Sequence, residues 1–128
     1  MAFIYFNPNP IGKHTGDCVI QALCKVLDQS WEETFMGLSK ISLAIYETIE
    51  SNNTWDIYLR QNGFTRHVIS NLCPDCYTVE DFCLDFPYGT YVLGTGTHAV
   101  AVVDGDIYST WDCSNEIPII YYRKETEQ

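Results

Sequence analysis

Positive charge is scarce in this chain: seven Lys and Arg stand against 17 Asp and Glu, a formal net charge of -10. The seven (Lys13, Lys25, Lys40, Arg60, Arg66, Arg123, Lys124) are scattered and form no basic run. A phosphate backbone would be repelled by such a surface, so no nucleic-acid partner is expected, and an anionic membrane is disfavoured for the same reason. Long apolar runs are also missing. None approaches the roughly 20 residues a membrane-spanning helix needs. Met1 to Phe6 is apolar but short and uncharged, and Asn7-Pro8-Asn9-Pro10 follows it, so it lacks the basic start and longer apolar centre of a signal peptide. The expectation is a cytoplasmic protein whose six cysteines are thiols, with three extracellular disulfides as the rival arrangement. A second Cys-x-x-Cys is absent as well. Cys73-Pro74-Asp75-Cys76 therefore supplies half of a structural zinc site at most, and only Cys83 and His67 lie near enough in sequence to complete one. No metal and no cofactor are expected, and Cys73 with Cys76 is the zinc alternative.

What is present is a packed globular composition. Hydrophobic residues are 46% of 128, aromatics 14%, which is enough for one real core and too short a chain for two; the expectation is a single domain over residues 1–128. Ala2 to Phe6 reads as a short edge strand. A helix follows over about Cys18 to Asp28, with Val19, Ile20, Leu23, Val26 and Leu27 at helical spacing. Ser30-Trp31-Glu32-Glu33 carries a capping-box signature and opens a second helix, and Ile41 to Ile49 suggests another. Asn53 or Thr54 caps a helix that Gly63 ends; Phe64 to Ser70 is extended, Leu72 to Cys76 a turn, and Thr78-Val79-Glu80-Asp81 starts a short helix. From Thr90 the pattern turns to strands: Tyr91–Leu93, His98–Val103, Ile107–Trp111 and Ile117–Arg123. Helices first and strands last is an α+β pattern, N-terminal helices packed on a C-terminal antiparallel sheet.

Three residues stand out from this frame. In Gly16-Asp17-Cys18, Asp17 is placed to cap the first helix, and Cys18 then sits at the positive end of the helix dipole, which favours a thiolate. Thr97-His98-Ala99-Val100-Ala101 puts a histidine at the head of a strand, and Asp112 follows on the next one. Cysteine, histidine and aspartate in that order suggest nucleophile, base and orienter. The orienting role depends on register. A three-residue Asp104-Gly105-Asp106 loop sets His98 opposite Asp112, whereas a two-residue loop sets it opposite Trp111 or Cys113. Asp104 is too far along its own strand to serve. The expectation is the longer loop, with Trp111 either shielding a His98–Asp112 hydrogen bond or serving as an ordinary core residue.

These residues resemble a compact papain-like cysteine peptidase, most closely the small C39-like members known from bacteria and phages. The likeness covers nearly the whole chain in element order and rests on few specific residues. It implies a papain-like fold and a Cys-His-Asp triad of Cys18, His98 and Asp112, with a peptide or protein substrate whose peptide, isopeptide or amide bond is cleaved through an acyl-enzyme on Cys18. Such enzymes carry a glutamine shortly before the cysteine to bind the oxyanion. Here the loop reads Gly12-Lys13-His14-Thr15-Gly16, so Lys13, His14 and Thr15, with Asp17, are the candidates to line the site or donate the second hydrogen bond. The missing glutamine also supports the alternative, a catalytically inactive papain-like domain that binds a peptide or protein. A small zinc-stabilised binding protein built on Cys73 and Cys76 is the third reading.

Overall fold

Residues 90–94 (Thr-Tyr-Val-Leu-Gly) and 99–103 (Ala-Val-Ala-Val-Val) offer no polar face, so strands made from them must be covered on both sides. The computed structural model, which describes residues 1–70 and 77–125, meets that demand. The elements run β1 (Phe3–Tyr5), α1 (Cys18–Leu27), α2 (Trp31–Ile45), α3 (Asn52–Gln61), β2 (Phe64–Val68), α4 (Val79–Asp85), β3 (Thr90–Gly94), β4 (Ala99–Val103), β5 (Asp106–Ser109) and β6 (Ile120–Lys124). The strands form one sheet in the order β1-β5-β4-β3-β6-β2, with β4 and β3 in the middle. Cys73 and Cys76 lie outside the described residues.

Alternation along β4 sorts the core into two layers. Ala99 and Ala101 join Val19, Ile20, Leu23, Leu38, Trp55 and Leu59 on the side of α1, α2 and α3. Val100 and Val102 join Leu93, Tyr91 and Ile107 on the other side, under Val79, Phe82 and Cys83 of α4. Val100, Val102 and Leu93 are fully buried, each worth about 1.5–3 kcal/mol relative to exposure. The α+β expectation is met in this architecture. The sheet, however, is neither wholly C-terminal nor wholly antiparallel: β1 pairs in parallel with β5, and β2 pairs with β6. The edges are β1, only three residues long, and β2, whose Thr65, Arg66 and Val68 are exposed as a solvent-facing rim allows.

Helix ends account for further differences. Ser30 forms the expected capping box with Glu33, and Thr78, expected only to open a helix, forms a second one with Asp81. The helix expected from Ile41 is instead the last part of α2, which runs on until Tyr46 takes a left-handed conformation. Ser51, rather than Asn53 or Thr54, caps α3 by accepting from the Asn53 N–H. Among the described residues no helix is long and apolar enough to cross a membrane.

The β4–β5 connection corrects the register expectation. Val103 pairs with Asp106 and Val102 with Ile107, so the loop is the two residues Asp104 and Gly105. Both have positive φ, 51° and 79°, the requirement of the type I′ turn whose twist matches a hairpin and which Asp-Gly favours. A Cβ on Gly105 would meet the Pro87 carbonyl oxygen at 3.4 Å as well as the strain of that φ. Gly105→Ala is therefore expected to cost about 1–2 kcal/mol in urea unfolding; an unchanged midpoint would contradict the turn assignment.

Candidate functional site

The cleft begins at one level of the sheet. Gly94 of β3 pairs with Ala99 of β4 on one side and Ile120 of β6 on the other, and this row forms the cleft's floor. The glycine makes the room. A Cβ there would come within 2.9 Å of Ile120 Cγ1 and 3.6 Å of Trp55 Cη2. Around this floor is a cavity of about 290 Å³ lined by Cys18, Asn52, Trp55, Thr97 and His98, among others. Two residues far apart in sequence, Cys18 and His98, thus face the same space. The two side chains line one cleft without a hydrogen bond between them.

Cys18 is the first residue of α1 and is half-buried, whereas Cys24, Cys83 and Cys113 are buried. Desolvation raises all three of those thiols, Cys83 to about 11 and Cys113 to about 12, so they stay protonated and inert at neutral pH. The cap expected of Asp17 does not form. Its carboxylate is buried and accepts from Gln21 Nε2 at 2.7 Å and Trp31 Nε1 at 2.8 Å. An acceptor sequestered in this way cannot turn back to the helix, and the first intrahelical bond starts at Gln21 N–H. The N–H groups of Cys18, Val19 and Ile20 are left as the open donors of a helix terminus.

His98 stands just before β4, at the end of a tight turn closed by Thr95 N–H to the His98 carbonyl at 2.9 Å. The two-residue hairpin puts Trp111 opposite it, and the two rings stack with centroids 4.8 Å apart. Nε2 is buried and has no hydrogen-bond partner among the described residues. Desolvation lowers the imidazole's pKa below 6.5; the charge of Glu116 raises it by less. The ring is therefore neutral at neutral pH, the form a proton acceptor needs.

Asp112 does not take the orienter's place. It is fully exposed, its Oδ1 accepts from Ser114 N–H at 3.0 Å, and it forms no bond to His98. The reason is the turn: one residue fewer in the loop puts Trp111 where Asp112 was expected. The acid that His98 does sense is Glu116, half-buried and held by the Thr95 hydroxyl at 2.9 Å. Lys13 and His14 are exposed and do not line the cleft, and Thr15 lines a neighbouring pocket.

Sequence reasoning missed Asn52 and Glu116. The Asn52 side-chain oxygen accepts the Trp55 indole N–H at 3.1 Å. Because that indole can only donate, the amide orientation is fixed and its NH₂ is left free to donate at the cleft. Neither residue carries a local motif; each is brought in by tertiary folding. Among the described residues there is no cluster of three His, Cys, Asp or Glu suited to a metal. His67 stacks on Tyr121 and bonds the Thr65 hydroxyl, and Cys83 points from α4 into the core.

The lowered His98 pKa makes a stability prediction. As pH falls below about 6.5 the unfolded chain takes up this proton before the folded one does, so folding weakens towards acid. His98→Gln removes this site, and the variant is expected to gain stability relative to wild type between neutral and mildly acidic pH. Urea midpoints that shift in parallel would contradict a desolvated His98.

No family model, curated protein or solved structure matches the chain, so the chemistry of the cleft rests on its own residues.

Proposed function

We propose that the chain is a papain-like thiol hydrolase that opens a peptide, isopeptide or amide bond through an acyl-enzyme on Cys18. The observation that carries this reading is the single cleft shared by Cys18, at the first turn of α1, and His98, at the head of β4, while the other described cysteines are buried. In the proposed reaction His98 takes the Cys18 proton, and the sulfur forms a bond to the substrate carbonyl carbon. The oxyanion is met by first-turn N–H groups of α1 and by the Asn52 amide, which stands in for the glutamine absent from the Gly12–Gly16 loop. The leaving amine departs with the proton from His98. Water, deprotonated by the same ring, then cleaves the thioester and returns free Cys18 and a carboxylate. Nδ1 is the nitrogen assigned to these transfers, since Nε2 is enclosed.

The charge that supports the imidazolium in this proposal is Glu116, not Asp112. Trp111 holds the ring by stacking, where the sequence suggested a carboxylate. The second reading, a papain-like domain without activity that binds a peptide or protein, is favoured by one observation: His98 Nε2 has no acceptor to orient it.

A peptide electrophile separates the two readings. Mass-spectrometric mapping is expected to find covalent label on Cys18, lost in Cys18→Ala and slowed about a hundredfold or more in His98→Ala. Labelling spread evenly over the cysteines, or indifferent to His98, would leave only the binding domain. Glu116→Gln keeps the Thr95 bond and is expected to slow labelling several-fold, while Asp112→Asn leaves it within about twofold, as befits an exposed charge. The reverse ranking would restore Asp112 to the site.

A further inference from the structure

The cleft does not end at Cys18. A second pocket of about 200 Å³ adjoins it and shares Gly16, Val19 and Glu50 with it. Its far wall is Trp31, Phe35 and Ile49. The Trp31 and Phe35 rings stack with centroids 5.2 Å apart and 9° between planes. Trp31 is pinned further by its indole N–H, which donates to the buried Asp17 carboxylate. The wall is thus a rigid apolar surface, preformed and partly open to solvent.

Glu50 stands at the mouth where the two pockets meet, exposed, and forms no hydrogen bond or ion pair among the described residues. Its neighbour Glu47 is engaged by Ser51 and Asn53. The overall charge of -10 biases this rim further against anions. An apolar slot with one free carboxylate at its mouth matches a side chain with a long aliphatic stem and a cationic tip. The stem lies on Trp31, Phe35 and Ile49, and the tip returns to Glu50 and water, as lysine and arginine side chains do at apolar surfaces.

Resting on the peptide-cleaving or peptide-binding reading of the cleft, we infer that this second pocket is a specificity subsite for a lysine or arginine side chain of the substrate, with Glu50 reading its charge. Glu50 is a specificity residue here and takes no part in bond cleavage.

The test measures binding, so it does not depend on turnover. Cys18→Ala protein is titrated by NMR with acetylated, amidated trialanine peptides carrying lysine, norleucine or glutamate at each position in turn. At one position lysine is expected to bind up to about fivefold more tightly than norleucine, the scale of an exposed ion pair. Norleucine in turn binds more tightly than alanine, and glutamate is the weakest. Glu50→Gln is expected to erase the lysine advantage while leaving norleucine binding unchanged. Shifts should fall on residues of the second pocket. If lysine and norleucine bind alike, or Glu50→Gln leaves the preference intact, the subsite assignment is wrong while the cleft reading stands. If no peptide binds at any position, both are wrong.

Discussion

Ala99 and Ala101 present only methyl groups to the helix layer, and α1 lies against β4 over that strip. Larger side chains on the same face would push the helix outward, and its first turn with it. The opposite face of β4 carries Val100 and Val102, locked under α4 by burial. A strand held from both sides cannot slide, because a one-residue slip would exchange the alanines for the valines on both faces. The position of His98 at its head is fixed by the same packing, and so is the level at which Gly94, Ala99 and Ile120 open the cleft floor.

The environment of His98 follows from two short turns. Thr95 to His98 closes one end of β4, and Asp104-Gly105 closes the other. The second sets Trp111 against the imidazole, and a flat aromatic both positions the ring and removes water from it. Desolvation outweighs the attraction of Glu116, so the ring is kept neutral. Asp17 illustrates a similar trade. By bonding Trp31 and Gln21 it gives up capping α1, and the open N–H groups of the first turn become available to anything bound in the cleft.

Much of this fold was legible in the sequence, because the apolar periods were strong and the capping box at Ser30 was complete. Cys18 at a helix start and His98 at a strand start were legible for the same reason. Asp112 was misplaced by one residue of loop length. The cue was present, since Asp-Gly is the preferred two-residue I′ turn. Asn52, Glu50 and Glu116 left no local trace: Asn52 follows the Ser51 cap, Glu50 precedes it, and Glu116 lies in a turn closed by its own N–H to the Cys113 carbonyl. Their place in the cleft depends on how α3, the loop before it and the strand connections come together, which single-segment patterns do not encode.

The central claim is that His98 acts as the proton acceptor for Cys18. Its most direct test is the rate at which Cys18 is alkylated by iodoacetamide, followed by mass spectrometry from mildly acidic to mildly alkaline pH, in wild type and in His98→Gln. If His98 serves Cys18, the wild-type profile carries a limb in the histidine range, and the variant loses that limb with a large fall in rate at neutral pH. Superimposable profiles would show that the thiol and the imidazole share a cleft without sharing a proton.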